Sequence, residues 1–384
     1  QVGKGYRNEI SPRQGMIRLR EFNMAELEYF IDPEAESNHD FSSWKDISFN
    51  LIPEDGEEIS ISLEKAVNDG IIRDPTVGLF IGLTYDFLIQ VGIDSQKLRF
   101  RQHESDEMAH YAMDCWDAEI FGSYGWIECV GIAHRGCYDL QAHTDSSSSN
   151  DLKAWREFEE PITIDEIRWV PIQAKIGPSF REHAKAVIQA LEDLEQIPES
   201  LPFELKLHNG NSVTIEEGMV ESRRINQTIK GEWFTPHVIE PAFGIDRILW
   251  HILDHSFDRT EKEGEIYDIL RLNEEVAPYN VVVLPLFNKD GMPEMANELY
   301  NQLCSLKGIV PTIDAFGKSI GRRYARADEI GIPWAITVDP ESISNRTVTV
   351  RRRDDQKQIR MDIEELCQSI SSGTLSDSIK WSMI

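Results

Sequence analysis

The sequence predicts an α+β chain that ends in a separate small α/β domain, on three observations. First, 384 residues suffice for two or three domains with cores of their own. Second, strand and helix patterns are irregular up to residue 277 and alternate regularly from 278 to 384. Third, this last region holds 13 Lys and Arg against 14 Asp and Glu, so nearly all of the net charge of −28 lies before it. We therefore place a domain boundary near residue 278.

Composition narrows the class of protein. Hydrophobic residues make up 41% of the chain and charged residues 28%, as in ordinary globular proteins. The longest apolar run, "VVVLPLF", is too short to span a bilayer, and the N-terminus lacks a signal-peptide pattern. Five scattered cysteines fit a reducing compartment. We expect a cytoplasmic protein that does not associate with membranes.

Two short strands joined by a turn are predicted at the start of the chain. "YRNEI" (6–10) and "GMIRLREF" (15–22) alternate with a period of two and flank the turn "SPRQG" (11–15). Asn23 then suits the N-cap of a helix over "NMAELEYFI". The polar stretch 33–70 predicts an excursion from the main fold.

The middle of the chain mixes helical and loop patterns. Helical spacing occurs within 99–121, a strand and a turn are predicted over 125–143, and 143–151 is a low-complexity exposed loop. Residues 152–235 are predicted to form an inserted module with one helix over 179–197.

The remaining elements follow a clearer pattern. A strand, a Gly turn and an apolar helix are predicted over 237–257. After a linker with a proline, the predicted elements are strands at 281–287, 309–314, 333–339 and 347–353 and helices at 292–308, 319–331 and 361–371. This alternation predicts a sheet covered by helices.

The first strand pair is rich in arginine. Its four arginines are Arg7, Arg13, Arg18 and Arg20. Guanidinium groups bind phosphate oxygens bidentately and keep their charge, so this pattern favours a polyphosphate ligand. Glu9 shares a face with Arg7 and suits a hydrogen bond from an adenine amino group, and Phe22 suits stacking on a base. The alternative is an exposed hairpin crossed by salt bridges.

Several stretches, in order along the chain, resemble class II aminoacyl-tRNA synthetases in the form typical of glycyl-tRNA synthetase. "YRNEISPRQGMIRLREFNMAE" resembles motif 2 and "EPAFGIDRI" (240–248) is similar to motif 3. "LRFRQHESDEMAHYAMDCWDAEI" and "YGWIECVGIAHRGCYDLQAH" resemble archaeal and eukaryotic members, and "GKSIGRRYARADEIGIPWAITVD" resembles the anticodon-binding domain. The resemblance covers most of the chain apart from parts of 33–70 and 145–220.

The resemblance implies a catalytic domain over 1–277, built on an antiparallel sheet and interrupted by an insertion near 150–235. Motif 2 lies near 6–22, and an anticodon-binding domain follows over 278–384. It also implies a reaction in two steps, in which glycine and ATP form glycyl-adenylate with Mg²⁺ on the phosphates, and the glycyl group then moves to the 3′ end of the tRNA for glycine. We expect the intact protein to be a homodimer. Catalysis of this kind needs positioning and charge stabilisation, not a protein nucleophile.

The resemblance also implies an ATP site, in which Arg7 and Arg247 are catalytic. Arg7 would hold the α-phosphate and the incoming carboxylate, Glu9 the adenine amino group, and Arg247 the distal phosphate. The full set is Arg7, Asn8, Glu9, Ile17, Arg18, Leu19, Arg20, Glu21, Phe22, Glu128, Cys129, Gly244, Ile245, Asp246 and Arg247.

The implied glycine site overlaps this set. Glu26 and Glu240 would bind the ammonium group, and Ala242 departs from the family's serine, whose hydroxyl helps to frame the pocket. The full set is Phe22, Asn23, Met24, Ala25, Glu26, Arg135, Glu240, Pro241, Ala242, Phe243 and Gly244. A tight pocket of this kind excludes a methyl group by steric clash.

Two further sites were weighed on the sequence. Arg322, Arg323 and Arg326 lie in the nearly neutral region and are predicted to contact tRNA, although solvated charge clusters are common. The cysteines and histidines between 129 and 143 do not have the spacing of a zinc site, so no metal ligand is assigned to a protein side chain.

Three alternatives stay open at this point. Because the chain starts at motif 2 without Met, we expect an N-terminally incomplete sequence, and the alternative is a naturally shortened paralogue. A non-catalytic paralogue, such as a nucleic-acid-binding accessory subunit, would have no reason to keep Arg7, Glu9, Phe22 and Arg247. A prolyl or threonyl enzyme would have a different amino-acid pocket, and Glu26 and Glu240 favour glycine.

Overall fold

The computed structural model describes residues 1–375 except 13, 36–38, 55, 110–111, 148–150, 195–197, 199, 208–209 and 263. The chain divides into two compact units, one formed by residues 1–138 with the residues from 237 onward and the other by residues 139–236. None of the described helices combines the length and apolar character that a membrane crossing requires.

The strands of the first unit and of the second unit are numbered together in chain order. They are β1 (Val2–Tyr6), β2 (Glu21–Glu26), β3 (Tyr29–Ile31), β4 (Phe49–Ile52), β5 (Ile59–Ile61), β6 (Leu98–Gln102), β7 (Asp114–Gly122), β8 (Gly125–Gly136), β9 (Ala154–Pro171), β10 (Phe203–Lys206), β11 (Ser212–Ile215), β12 (Val220–Phe234), β13 (His237–Gly244), β14 (Phe257–Lys262), β15 (Glu265–Leu270), β16 (Val281–Pro285), β17 (Pro311–Ile313), β18 (Trp334–Val338), β19 (Thr347–Arg352) and β20 (Gln358–Asp362).

The α-helices follow the same convention. They are α1 (Leu63–Asn68), α2 (Pro75–Gln90), α3 (Tyr138–Ser147), α4 (Gln173–Phe180), α5 (Ala184–Glu192), α6 (Ile245–Ser256), α7 (Met292–Cys304), α8 (Ile320–Glu329), α9 (Pro340–Asn345) and α10 (Ile363–Ser371). Short 3-10 helices lie at Gly15–Ile17, Ser42–Trp44, Ser95–Lys97 and Arg181–His183.

A large, mostly antiparallel sheet organises the N-terminal part of the first unit. Its order is β1-β2-β13-β8-β7-β6-β4-β5, and β3 also pairs with β13. Only the β4–β6 pair is parallel among the described ladders of this sheet. Side chains alternate between the two faces, because successive residues of a strand point to opposite sides. On β7, Trp116, Ala118 and Ile120 are fully buried in the hydrophobic core, which leaves Cys115, Asp117 and Glu119 for the other face.

Helix α2 covers the apolar face of this sheet. It begins at Pro75 after Asp74, whose Oδ1 accepts hydrogen bonds from the backbone N–H groups of Thr76 (2.7 Å) and Val77 (3.2 Å). A carboxylate N-cap followed by proline is a favourable helix start. Val77 and Ile81 then join the same core as the strands, so the helix fixes the apolar face and leaves the polar face open for a site.

The C-terminal sheet has helices on both faces. Its order is β17-β16-β18-β19-β20, with β16 parallel to both β17 and β18 and the rest antiparallel. Along β16, Val281 and Val283 pack with α7 and α10, whereas Val282 and Leu284 pack with α8. A strand buried on both sides has a continuous apolar sequence, which explains "VVVL".

The second unit has a core of its own. A long antiparallel pair, β9 and β12, is joined by α4 and α5, and β10 pairs with β11. Ile176, Val187, Leu191 and Ile215 are buried together in this core.

The predicted N-terminal elements need two corrections. Strand β1 pairs with β2 in the register Val2↔Ala25 to Tyr6↔Glu21, so the two strands pair closer to the chain start than predicted and are not joined by a tight turn at 11–15. The connection between them includes a 3-10 helix at Gly15–Ile17. The predicted helix after Asn23 is wrong, because β2 is hydrogen-bonded to β1 on one side and to β13 on the other. Pairing on both edges outweighs local helix propensity.

Predictions in the middle of the chain were also partly wrong. Residues 99–121 contain two paired strands, β6 and β7, instead of a helix, because alternate residues are buried. Helix α3 extends to Ser147 where a loop was expected, and 148–150 fall outside the described residues. The helix predicted over 179–197 is limited to α5 after a break at Arg181, whose φ is +46°, and 195–197 lie outside the described part.

Residues 33–70 are not an excursion. They contribute β4, β5 and α1 to the large sheet and its core, with Trp44, Phe49 and Leu51 buried. In contrast, the strand, turn and helix predicted over 237–257 are confirmed as β13 and α6. The predicted alternation after 278 is also confirmed, with α9 and β20 as additional elements.

Candidate active site

A cavity of about 240 Å³ lies on the polar face of the large sheet, close to the lower end of the roughly 300–1,000 Å³ typical of small-molecule sites. Strands β2, β13, β8 and β7 form its floor, and the loop over residues 7–20 and the first turn of α6 form its walls. Of the predicted residues, the cavity is lined by Arg7, Glu9, Ile17, Arg18, Leu19, Phe22, Asn23, Met24, Glu128, Cys129, Glu240, Ala242, Phe243, Gly244, Asp246 and Arg247.

The loop that replaces the predicted turn places Arg7 and Glu9 at this cavity. The Arg7 backbone N–H donates to the Arg20 carbonyl (3.0 Å), and Arg20 Nε donates to the Glu9 carbonyl (2.9 Å). Glu9 lies 3.7 Å from Arg18 across the loop. The Arg7 side chain is exposed and, within the described part of the chain, pairs with no acidic group. Arg7 therefore offers a positive charge that no acidic group among the described residues neutralises, on a backbone held by Arg20. Arg13 lies outside the described residues.

Arg247 occupies the first turn of α6 and is held by backbone atoms. Its Nε donates to the Ile17 carbonyl (3.1 Å) and its Nη1 to the Glu128 carbonyl (2.6 Å). The Glu128 carboxylate lies 3.6 Å from the same guanidinium group. The N-terminus of a helix favours anions, because its free N–H groups and its dipole point toward them.

A paired hydrogen bond joins β2 to the same turn of α6. The Asn23 backbone N–H donates to Asp246 Oδ2 (2.6 Å), and Asn23 Nδ2 donates to Asp246 Oδ1 (2.9 Å). Asp246 is only 8% exposed, so its carboxylate is used within the protein and positions two cavity walls relative to each other.

The carboxylate of Glu240 on β13 is also engaged. Arg135 Nη1 on β8 donates to Glu240 Oε2 (2.6 Å). In the ladder Glu240 faces Ala133, and Arg135 lies two residues further along β8, at the register shift between β13 and β8.

The thiol of Cys129 stays protonated at neutral pH. Burial is the main cause that raises its pKa to about 12. Its Sγ lies 3.5 Å from Nδ1 of His251, whose own pKa is lowered by burial. A thiol that stays protonated is not a nucleophile at neutral pH, so this pair is structural.

Three residues that the sequence analysis did not assign form a polar cluster at the other end of the cavity. His103 Nε2 lies 2.7 Å from Asp117 Oδ2, and side-chain atoms of His103, Cys115 and Asp117 all lie within 4.8 Å of one another. The hydrogen bond to Asp117, supported by Cys115, raises the pKa of His103 to about 10. At neutral pH His103 is therefore an imidazolium that donates to Asp117.

The residues that line the cavity are not identical to the set of site residues predicted from the sequence. Predicted residues that do not line it are Asn8, Arg20, Glu21, Ala25, Glu26, Arg135, Pro241 and Ile245. Lining residues that the sequence analysis missed are Met16, His103, Cys115, Asp117, Gly131 and Ala133. For Cys115 and Asp117 the signal was the alternation along β7, and for Gly131 and Ala133 the alternation along β8, which becomes visible once these segments are recognised as strands. Met16 and His103 lie outside these two strands and had no such signal.

The arginines of α8 differ in their surroundings. Arg323 is 3% exposed and donates to the carbonyls of Pro285 (2.8 Å), Asp314 (3.0 Å) and Leu286 (3.2 Å). It is used inside the domain, and we remove it from the predicted tRNA surface. Arg322 is exposed, and Arg326 lies 3.0 Å from the Asp314 carboxylate.

Comparison with known proteins gives several matches. The family model "Anticodon binding domain" matches residues 280–372. Glycine--tRNA ligase of Archaeoglobus fulgidus is 44% identical over 366 residues, which cover 95% of this chain and 64% of that protein. The Methanocaldococcus jannaschii protein of the same name is 44% identical, over 95% of this chain and 66% of its own length. Glycine--tRNA ligase of Methanococcus maripaludis strain C7 is 42% identical, over 96% of this chain and 67% of its own length.

A comparison with solved structures gives a match to a crystal structure of prolyl-tRNA synthetase from Cryptosporidium parvum, complexed with L-proline and AMP. The TM-score is 0.49 at 14% sequence identity, over 98% of this chain and 55% of that chain.

These sequence relatives, together with the anticodon-domain match, define an aminoacyl-tRNA synthetase. Within that class, the chain belongs to the glycine--tRNA ligase family. The predicted family and the α+β fold class are thereby confirmed. The chain spans about two thirds of the length of these curated relatives.

Proposed function

We propose that the chain ligates glycine to its tRNA in two steps, forming glycyl-adenylate from glycine and ATP and then transferring the glycyl group to the tRNA 3′ end. The observation that carries the proposal is that Arg7 and Arg247, from distant segments, line one cavity together with Phe22. Two guanidinium groups beside an aromatic ring suit a nucleoside triphosphate.

The residues at the cavity fit ATP and Mg²⁺. Arg7 binds the α-phosphate and the attacking carboxylate, because its charge is unpaired among the described residues and it stands on an ordered loop. Arg247 binds the distal phosphate from the start of α6. The half-exposed Glu128 carboxylate would hold Mg²⁺, which neutralises charge on the phosphates when it is bound.

The chemistry follows from these positions. The glycine carboxylate attacks the α-phosphorus, the bond to the β-phosphate oxygen breaks, and pyrophosphate leaves. Arg7 stabilises the negative charge that develops on the α-phosphate. The buried thiol of Cys129 takes no part, because its pKa is raised to about 12.

Glycine is held next to the α-phosphate. Glu240 lines the cavity and would bind the ammonium group, with Arg135 Nη1 holding its carboxylate at 2.6 Å. Glu26 does not line the cavity and would contribute its negative charge from the neighbouring strand β2. Ala242, where the family motif has serine, lies on the floor of the cavity and lacks the hydroxyl that helps to frame the glycine pocket. The other walls of the pocket would then have to exclude larger amino acids by clash.

The proposal extends to the whole domain arrangement. Residues 1–277 form the catalytic domain with an insertion near 150–235, and residues 278–384 form the anticodon-binding domain, in which Arg322 and Arg326 contact tRNA. The family match over 280–372 supports the second assignment. We also propose that the protein is a homodimer in the cytoplasm, where its described cysteines stay reduced.

Amino-acid-dependent ATP–pyrophosphate exchange tests the proposal. We expect exchange with glycine and with none of the other nineteen amino acids, and a loss of about 100-fold or more in Arg7→Ala. Lys4→Ala is the matched control, because Lys4 is an exposed cation of β1 that does not line the cavity. Exchange that Arg7→Ala leaves unchanged, or exchange with a different amino acid, would contradict the proposal. ATP binding without exchange would favour a non-catalytic paralogue.

A further inference from the structure

Strand β1 brings one glycine directly against two side chains of the cavity wall. In the ladder between β1 and β2, Gly5 faces Phe22 and Gly3 faces Met24. Directly facing residues of antiparallel strands have their side chains on the same face of the sheet, and long side chains also reach diagonal neighbours. Phe22 and Met24 line the cavity, whereas Gly5 does not. Gly5 is therefore a neighbour of the cavity wall and not a part of it.

The side chains of Phe22 and Met24 occupy the position that a side chain of residue 5 would take. A Cβ atom built on Gly5 would lie 2.5 Å from Cε2 of Phe22, 2.8 Å from Cζ of the same ring and 2.6 Å from Sδ of Met24. Carbon atoms in contact are ~3.5–4.0 Å apart, so any residue other than glycine would overlap with these atoms. The Phe22 ring thus packs directly on the backbone of β1.

The backbone itself does not require glycine at this position. Gly5 is not one of the glycines with positive φ, and it is paired within a regular strand. Glycine in the interior of a strand costs stability, because it loses more conformational freedom on folding than other residues, and it often marks a close approach of another group. The close approach of Phe22 and Met24 is the feature that glycine permits here.

We infer that Gly5 is a positioning residue for the nucleotide base: the absence of a side chain at residue 5 sets the position of the Phe22 ring, and so leaves the space in which adenine stacks on that ring. This inference rests on the proposed function, because it requires that Phe22 faces the adenine of ATP. Gly5 acts only through Phe22 and contacts no atom of the substrate.

A methyl group added at residue 5 should displace the ring without disrupting the fold. The nearest atoms are the outer end of the Phe22 ring and the sulfur of Met24, and both belong to side chains that can rotate. Because the backbone of β1 closes one side, the ring has to move by about 1 Å toward the cavity. A misplacement of this size can cost up to about 100-fold in a step that depends on geometry. The effect should therefore appear in nucleotide binding and not in stability.

The alternative is that the contact between Gly5 and Phe22 only stabilises the strand pair. An aromatic side chain that covers a glycine of the neighbouring strand is a known way to pin the register of a sheet. Gly5→Ala would then lower the stability of the fold and leave recognition of the base unchanged. The test must therefore separate the base from the phosphates, and the position of the ring from stability.

Calorimetric titration of the full chain with ATP and with inorganic tripolyphosphate, both with Mg²⁺, makes the first separation, since tripolyphosphate lacks the base. We expect the wild-type chain to prefer ATP by about 10- to 100-fold, the value of a base stacked on an aromatic ring. Gly5→Ala should weaken ATP binding by at least about 5-fold and change tripolyphosphate binding by less than about 2-fold.

Gly3→Ala is the matched control. Gly3 lies on the same face of the same strand, and its Cβ would meet no described atom closer than Nε2 of Gln1 at 4.0 Å. Both replacements restrict the unfolded chain equally, so Gly5→Ala and Gly3→Ala should have similar thermal stability. Only Gly5→Ala should lose affinity for ATP.

A double variant shows whether Gly5 acts through the ring. Phe22→Ala should lose the preference for ATP, and Gly5→Ala added to it should have no further effect, because the ring that the methyl group displaces is absent. Equal ATP affinity in Gly5→Ala and Gly3→Ala would overturn the inference, as would an undiminished further loss in the Phe22→Ala background. A wild-type chain that binds ATP and tripolyphosphate equally would overturn the inference alone, whereas a chain that binds neither would overturn the proposed function as well.

Discussion

Asn23 and Asp246 are joined by two hydrogen bonds, of 2.6 Å from the backbone N–H and 2.9 Å from the side-chain amide. They connect β2, which carries Phe22, to the turn of α6 that carries Arg247. Sequence separation between the partners is 223 residues. The geometry of the cavity therefore depends on a contact between two of its own lining residues.

Removal of the Asp246 carboxylate should destabilise the fold and weaken ATP binding. We expect Asp246→Ala to lower the free energy of unfolding by about 2 to 4 kcal/mol, because two donors of Asn23 lose their acceptor. The KM for ATP in pyrophosphate exchange should rise as well. Urea denaturation followed by tryptophan fluorescence measures the first effect, with exposed Glu329→Ala as the control. Wild-type stability in Asp246→Ala would show that the bonds do not form in solution.

Arg247 should not be replaceable by lysine. Its planar guanidinium donates from two separate nitrogens, Nε and Nη1, to the carbonyls of Ile17 and Glu128, whereas a lysine would have to reach both carbonyls from a single nitrogen. Both Arg247→Lys and Arg247→Ala should raise the KM for ATP in exchange, by about 10-fold or more. Full activity of the lysine variant would mean that charge alone is required.

The His103–Asp117 pair should give a pH-dependent contribution to stability. The pKa of His103 is raised from 6.5 to about 10, chiefly by the hydrogen bond to Asp117. A raised pKa in the folded state stabilises the fold fully below pH 6.5, and this contribution is lost as pH rises toward 10. The difference in unfolding free energy between wild type and His103→Gln should therefore be largest at pH 6 and shrink steadily up to pH 10. A difference that is flat over this range would contradict the assignment.

The C-terminal sheet contains a buried ion pair whose disruption should be costly. Arg351 Nη1 and Nη2 donate to the two oxygens of Asp328 at 2.8 and 2.9 Å, and Tyr267 donates to the same carboxylate at 2.6 Å. Asp328→Ala leaves the Arg351 charge buried without its partner and should cost about 3 to 5 kcal/mol. The double variant Asp328→Leu with Arg351→Met should recover most of that loss in urea denaturation. A larger loss in the double variant would contradict this explanation.

Replacing Arg323 and replacing Arg322, which are neighbours on α8, should have different effects: the first on stability and the second on tRNA binding. Arg323→Ala should destabilise the C-terminal domain, because three carbonyls lose their donor. Arg322→Ala should leave the free energy of unfolding unchanged and should weaken tRNA binding, with a reduced dependence on salt. Filter binding at several salt concentrations, beside urea denaturation, tests both. Equal tRNA affinity in Arg322→Ala and wild type would remove Arg322 from the proposed tRNA surface.

Local sequence patterns were sufficient to predict some secondary-structure elements of this molecule, but not the strands and site residues that depend on pairing between distant segments. The strand, turn and helix around Gly244 were predictable because each has its own periodicity, and so were the alternating elements after 278. The strand character of Asn23 was not, because it results from pairing with β1 and β13. Asp117 and Gly131 were missed for the same reason, since they meet only through the ladder that also brings in Ala242.

The register of strand β13 determines both which of its side chains line the cavity and which pack into the hydrophobic core. Glu240, Ala242 and Gly244 line the cavity, whereas Ile239 lies in the core on the opposite face. Adding or deleting a single residue within β13 would exchange the two faces beyond that point. The strand should therefore accept many substitutions of similar size but no change of length, and natural or engineered insertions in this region should be confined to the connections on either side of it.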